Sequence, residues 1–273
     1  MRINNNVIAQ STNRMLMEKQ ESMSKNMEKL NSGLKVNRAA DDVAGLAISE
    51  KMRAQIRGLN KSMGNALDAI SLARTTEGAL NETHSVVQRI RELAVQSATD
   101  SNVDSDRKKM QLEVDNLIKN IDEIAKYTHF NTKQLIDGSR KEDLKFFVGA
   151  NKDEDYSLSL NNMDSKSIGL SKIDISRRED ANKAIEILDK AVETVGEERS
   201  RIGATHNRLE HTLQNIRLRH DNLANSESRI RDTDMAEQMS KVISDKMIMQ
   251  AGIGVRAHAN TEAQGVLSLL GVK

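Results

Sequence analysis

Apolar residues recur along this chain at helical spacing, and the spacing predicts a succession of long helices. In residues 1–34, Ile8, Met15, Met23, Met27, Leu30 and Leu34 fall near one stripe. Gly33 and the polar run Asn37-Arg38-Ala39-Ala40-Asp41-Asp42 end that segment, with Asp41 or Asp42 placed to cap a second helix. From Met52 a 4,3 alternation visits Ile56, Leu59, Met63, Ala66, Ile70 and Ala73, then degrades as Glu77, His84 and Arg91 recur every seventh residue. A drift of one residue restores it through Leu80, Thr83, Val87, Ile90 and Ala94, as a nearly straight helix departs from a 3.5-residue repeat. Roughly 50 residues of such a helix span about 75 Å. Asp100, Ser101, Asn102 and Asp104 read as a turn and a new cap before a shorter helix through Met110, Val114, Leu117, Ile121 and Ile124.

Residues 129–176 change character. Asp137-Gly138 is a turn signal, and Leu144 to Val148 with Tyr156 to Leu160 predict one small β-hairpin. A fourth helix then carries a 3,4 seam through Ile185, Leu188, Val192, Val195, Arg199, Ile202, His206, Leu209, Leu213, Ile216, His220, Leu223, Glu227 and Ile230. The charge run Arg177-Arg178-Glu179-Asp180 reads as its solvated start. Asp232 and Asp234 precede a last amphipathic stretch through Met235, Met239, Ile243 and Met247 and, after a polar gap, Val266, Leu267 and Leu270. The expected fold is mainly α: a long antiparallel helical rod or coiled coil, formed by the second and fourth helices, with a small β-hairpin region and paired terminal helices. The boundaries fall at 1–42, 43–176, 177–234 and 235–273. Isolated amphipathic helices are marginal in water, so the two terminal stripes need cover. A head-to-tail association that does not close gives a filament.

Composition sharpens this picture. Aromatics are 2% of the 273 residues and proline is absent, which suits long helices packed along narrow seams rather than a compact aromatic core. Lys and Arg total 41 against 40 Asp and Glu. That balance argues against nucleic acid or an anionic membrane as partner. Without cysteine there is no disulfide, thiolate metal site or catalytic thiol. No apolar run suits a general secretory signal or a transmembrane helix. No Ser/His/Asp constellation, phosphate loop or HExxH motif is present, so no enzyme, cofactor or metal site is expected.

Several runs resemble bacterial flagellins. They are Leu30-Asn31-Ser32-Gly33-Leu34-Lys35-Val36-Asn37-Arg38-Ala39-Ala40-Asp41-Asp42-Val43-Ala44-Gly45-Leu46-Ala47-Ile48, and Arg91 to Gln96 within QRIRELAVQSA. Phe130-Asn131 followed by Leu135-Ile136-Asp137-Gly138 is similar to the flagellin turn before its hairpin. Gly203 to Glu210 and Ser228 to Ala236 are similar to the C-terminal signature. The resemblance is to a short, Bacillus-like form without large variable surface domains. It implies a structural, self-assembling subunit of the extracellular flagellar filament, serving motility. Residues 1–42 and 235–273 would then be inner-core helices, and 43–176 with 177–234 the outer rod. It further implies type III export, an export chaperone on the C-terminal segment, and a filament cap with hook-associated proteins. The alternatives are a hook–filament junction protein, or a secreted binding module recognised by a host innate-immune receptor. The tail departs from the family at Gly252, Gly254, Arg256 and His258, and Ala263 takes the usual proline position.

The inner-core assembly residues expected on this reading are Ile8, Met15, Met23, Met27, Leu30, Leu34, Met239, Ile243, Met247, Leu267 and Leu270. The resemblance also points to Gln88, Arg89, Arg91, Glu92, Leu93 and Glu113 as a stretch that a vertebrate Toll-like receptor contacts in monomers; subunit contacts and helix pairing are the competing role. His84, His206 and His220 on the seams read as hydrogen-bonded boundary residues rather than metal ligands. Glu77 and Arg199 either pair across the helix interface or point outward separately. The 13 methionines, clustered in the terminal segments, suit an adaptable interface and equally an ordinary core.

Overall fold

The computed structural model describes residues 6–139 and 143–269, with the helical backbone alone at 263 and 266–269. In chain order these form helices α1 (Val7–Ser32), α2 (Val43–Ala98) and α3 (Asp104–Tyr127), strands β1 (His129–Phe130), β2 (Lys133–Gln134), β3 (Leu144–Phe147) and β4 (Asp155–Leu158), and helices α4 (Arg178–Arg231) and α5 (Met235–Leu269). Two compact units result: Gln55–Asp221, and Met1–Ala54 together with Asn222–Lys273. Helices α2 and α4 contribute to both.

The core of the first unit is built from a heptad. On α2, Leu59, Ser62, Ala66, Ala69, Ala73, Thr76, Leu80, Thr83, Val87, Ile90, Ala94 and Ser97 are all buried, at unbroken 3,4 spacing. On α4 the same spacing runs through Ala181, Ala184, Leu188, Ala191, Val195, Glu198, Ile202, Thr205 and Leu209. Small residues alternate with large ones on α4, a pattern that lets helices approach closely. The expected alternation is therefore half right. Leu59, Ala66, Ala73, Leu80, Val87 and Ala94 lie inside, as do Thr83 and Ile90 where the one-residue drift puts the second column; before the drift that column is one residue earlier than Met63 and Glu77. The buried hydroxyls need no cross-helix partner. Those of Thr76, Thr83 and Thr205 donate to the carbonyls of Leu72, Ala79 and Arg201 one turn back. Buried Glu198 accepts from Arg201 and from the Asn161 N–H. The two helices run antiparallel, as Arg91 to Asp189 (2.7 Å) and Arg74 to His206 (3.1 Å) require.

Helix α3 adds Val114, Ile121 and Ala125 to this core, and the connecting chain adds Leu135, Ile136, Met163, Leu170 and Ile175. Polar pins hold that connection: Ser97 Oγ donates to the Ile175 carbonyl, Gln111 accepts from the Ile175 N–H, and Asp122 accepts from Ser165 N and Oγ. The α2–α3 turn differs from expectation. Val103 is the N-cap residue and makes no side-chain cap bond. Buried Arg107 closes the turn instead, donating to the Ser97 and Thr99 carbonyls and to Asp104. That guanidinium fork satisfies C-terminal carbonyls of α2 that the helix leaves orphaned.

The expected hairpin is present, with β3 antiparallel to β4 and Leu144 opposite Leu158. Its second strand starts and ends slightly earlier than the apolar pattern suggests, because Glu154 ties the loop by accepting from the Asn151 N–H and the Val148 N–H reaches the Glu154 carbonyl. A second pair, β1 with β2, was not expected. Asn131 and Thr132, both at positive φ, form its two-residue turn. Asparagine tolerates that conformation, whereas a β-branched threonine rarely adopts it, so the sequence signal is weak.

In the other unit, Asp42 caps α2 by accepting from the Gly45 N–H. Asp234 caps α5 by accepting from the Ala236 and Glu237 N–H groups. Asp232 has another role: it bridges Leu34 in backbone pairing and takes the Ser228 hydroxyl. Gly33, in the left-handed conformation, terminates α1 with its N–H on the Lys29 carbonyl. The last segment is one helix, α5, which runs unbroken through Gly252, Gly254 and the polar interval in its apolar pattern.

Candidate assembly surface

Helices α1 and α5 pack on each other along a seam of heptad spacing. On α1 the half-buried positions at that spacing are Ala9, Thr12, Leu16, Lys19, Met23, Asn26 and Leu30, with Ser22 half-buried beside them. On α5, Gln238, Val242, Asp245 and Ala259 are buried, with Met249 and Gly252 half-buried. The seam is unusually polar. Asp245, 6% exposed, accepts from Lys19 Nζ (3.0 Å), Ser22 Oγ (2.9 Å) and Asn26 Nδ2 (3.1 Å). Gln238 donates to Asn26 Oδ1 at 2.7 Å. Towards the other end, Arg256 donates to Asn13, and Asn6 donates to the Ala259 carbonyl while capping α1. Three donors on one carboxylate, led by the Lys19 ammonium and then the Ser22 hydroxyl, hold the Asp245 pKa below its ordinary value.

Other apolar residues of both helices remain uncovered. Ile8, Met15, Met17 and Met27 on α1 are exposed, as are Met235, Met239, Ile243 (50%), Met247 (59%), Ile253 and Val255 on α5. No residue of α1 is buried. The seam mixes apolar residues (Ala9, Leu16, Met23, Leu30, Val242 and Met249) with polar ones and leaves other apolar side chains of both helices uncovered. Of the expected assembly residues, Ile8, Met15, Met27, Met239, Ile243 and Met247 lie on these open faces. Met23 and Leu30 are half-buried in the seam, and half-buried Leu34 sits in the backbone bridge to Asp232. The Leu267 side chain and Leu270 lie outside the described residues. The departures of the tail have physical reasons. Gly252 faces Leu16 closely, Arg256 reaches Asn13, and His258 projects into solvent near Glu262.

The second expected stretch lies on α2 and α3 and is only partly gathered. Arg89 donates to Glu113 (2.9 and 3.2 Å) and to Glu92 (3.1 Å), making an exposed cluster that bridges the two helices. Exposed Gln88 lies within 2.9 Å of the His84 ring. Arg91 belongs to the other side of α2, paired with Asp189 on α4. Leu93 is a core residue at 2% exposure, so it is withdrawn from any docking surface. An apolar side chain at a 3,4 position is core by default, which is the signal that separates it from its neighbours. His206 accepts from Arg74, and His220 lies beside Asp221. Glu77 is exposed and Arg199 half-buried; they do not pair with each other. Sequence reasoning missed Lys19, Ser22, Asn26 and Asp245, whose shared heptad column was visible but reads as polar surface.

Known proteins give the same architecture a family. Residues 3–141 match the bacterial flagellin N-terminal helical region, and residues 185–270 match the bacterial flagellin C-terminal helical region. The chain is 44% identical over 272 residues to a flagellin of Halalkalibacterium halodurans, covering 99% of this chain and 100% of that one. It is 42% identical over 284 residues to a flagellar filament core protein of Brachyspira hyodysenteriae, again covering 99% and 100%. The crystal structure of Bacillus cereus flagellin superposes with a TM-score of 0.50 at 30% identity, covering 56% of this chain and 88% of that one. Matched from near its first residue to near its last, this chain belongs to the bacterial flagellin family.

Proposed function

We propose that the outward apolar faces of α1 and α5 are the surface on which copies of this chain polymerise into the flagellar filament. The observation that carries the reading is the apolar surface the terminal pair leaves uncovered: Ile8, Met15 and Met27 on α1 and Met239, Ile243 and Met247 on α5 are exposed although the seam between the helices is closed. Covering each such side chain contributes about 1.5–3 kcal/mol, and a filament covers them in every subunit. Methionine adapts its shape, which suits contacts that must tolerate slightly different packings.

The finer roles follow from the same assignment. The subunit is secreted through the flagellar type III apparatus, with a chaperone covering the C-terminal face before assembly, and it meets the filament cap and hook-associated proteins at its destination. The exposed Gln88, Arg89, Glu92 and Glu113 cluster is the part of the α2–α3 stretch that a Toll-like receptor reads in monomers. Seeded growth followed by electron microscopy tests the central proposal. The triple variant M239Q/I243Q/M247Q keeps the polar seam and is expected to remain helical but to add no length to filament seeds. Wild-type growth of that variant would overturn the proposal.

A further inference from the structure

We propose that the exposed methionines of α1 and α5 make the unassembled chain sensitive to oxidation: a peroxide converts them to sulfoxides and so blocks polymerisation, and reduction of the sulfoxides restores it. This inference deepens the assembly reading and rests on it for the effect on growth.

Methionine carries all the sulfur of this chain, because cysteine is absent. Of the 13 methionines, Met1 lies outside the described residues, and the others divide sharply. Met15, Met17 and Met27 on α1 and Met235, Met239 and Met247 on α5 are 45 to 71% exposed. Met23 and Met249 on the same helices are half-buried, as are Met52, Met63 and Met110 elsewhere, and Met163 is buried. Every described methionine with an open side chain therefore lies on the terminal pair. On α5, Met235, Met239 and Met247 share a band with Ile243 at four-residue steps. On α1, Met15, Met17 and Met27 point to different sides, so no single neighbour could shield all three.

The chemistry needs access and no positioned catalyst. A sulfur lone pair attacks one oxygen of hydrogen peroxide, and the S–O bond forms as the O–O bond breaks. The hydroxide released takes the proton from the transferred oxygen and leaves as water. Sulfur gives up two electrons, and the peroxide is reduced. The product is a polar, chiral sulfoxide where a flexible apolar side chain stood. Covering the thioether is favourable, whereas covering the sulfoxide oxygen without a donor is not. The seam's own donors, Lys19, Ser22, Asn26 and Gln238, are already engaged. Ile8, Ile243, Ile253 and Val255 share the open surface and have no atom that peroxide oxidises, so the sensitivity belongs to the methionines. Because the sulfoxides form outside the seam, the lesion falls on assembly and leaves the helix pair intact.

The test titrates the full-length monomer with hydrogen peroxide and follows each methionine by peptide mass spectrometry. At the dose that converts the six exposed methionines, circular dichroism and seeded growth are measured before and after treatment with the two methionine sulfoxide reductases, one for each epimer. The six are expected to oxidise severalfold faster than Met52, Met63, Met110 and Met163. Helix content is expected to hold, growth to be lost, and the reductases to restore it. The proposal is overturned if the covered methionines oxidise as fast as the six, or if growth survives conversion of the six. It is overturned equally if helix content falls with growth, or if the reductases return the thioethers without returning growth. An untreated chain that adds no length to seeds would refute the assembly reading instead, and the order of oxidation in the monomer would still be decided by its own measurement.

Discussion

Gly252 on α5 faces Leu16 on α1 so closely that a methyl group at Gly252 would lie 2.9 Å from Leu16 Cδ2. Gly254, two residues on, has open space around it. Replacing glycine by alanine within a helix gains about 1 kcal/mol from backbone propensity alone. G254A is expected to gain that amount in full. G252A must also move Leu16 off its rotamer, at about 0.5–1.5 kcal/mol, and is expected to gain little or nothing. Denaturant titration of the two variants, followed by circular dichroism, checks the difference; equal stabilisation would show that the close approach of α1 and α5 at Leu16 is not maintained in solution.

Arg107 and Arg91 are both paired arginines on neighbouring helices, and burial separates their worth. Arg107 is 8% exposed and answers two backbone carbonyls at the end of α2. R107A takes the guanidinium donor from the carbonyl of buried Ser97, while Thr99 keeps the Asn102 N–H, and is expected to cost about 1–3 kcal/mol, with R107K recovering little because an ammonium cannot reproduce the fork. Arg91 and Asp189 are about half exposed, and R91A is expected to cost under about 1 kcal/mol. Urea unfolding midpoints for the three variants decide it, and an R91A loss matching that of R107A would contradict this ranking.

The helices were legible because they are long and periodic, and their order, approximate limits and antiparallel pairing follow from spacing alone. The seam columns were legible only where they carry Leu, Ile or Val. At Ser62, Ala69, Thr76 and Ser97 on α2, and at Ala184, Ala191 and Thr205 on α4, the buried residue is small or hydroxylated and reads as surface. Hydroxyls of Ser62, Thr76, Thr83 and Thr205 are satisfied by carbonyls within their own helix, a solution no hydropathy pattern records. The terminal stripes were visible as apolar, but which face they occupy was not. The polar part of the seam was not legible either, because Asp245 meets Lys19 from more than 200 residues away in sequence, at 3.0 Å.

Leu93 and Arg89 sit four residues apart on α2 and predict opposite experimental signatures. L93A opens a cavity in the core formed by α2, α3 and α4 and is expected to cost about 2–5 kcal/mol. R89D reverses the charge of an exposed residue that pairs with Glu92 and Glu113. It is expected to leave the unfolding midpoint of the first unit nearly unchanged while abolishing recognition by the vertebrate receptor in a cell-based assay. A receptor response that survives R89D in a folded protein would remove this cluster from the recognition surface.

Acid should loosen the terminal pair before it unfolds the α2–α4 core, and Asp245 sets the direction. Its folded pKa is depressed, chiefly by the hydrogen bond from Lys19 and then by that from Ser22. A depressed carboxyl contributes stability that is fully present above its unfolded value of about 3.9 and is lost as pH falls through the lower folded value. Once protonated, Asp245 no longer attracts the half-exposed Lys19 ammonium, and the seam loses that ion pair. Glu21, Asp41, Glu154, Asp164 and Asp174 are held below their ordinary values as well, so the wild-type curve reports several carboxyls together. D245N removes the titrating group while keeping an acceptor oxygen. The expected result is a smaller drop in seam cross-linking of L16C/G252C between pH 6 and pH 3 in D245N than in the wild-type background, with disulfide exchange quenched identically at each pH. Parallel curves for the two would place the acid sensitivity elsewhere in the chain and leave Asp245 without a share in it.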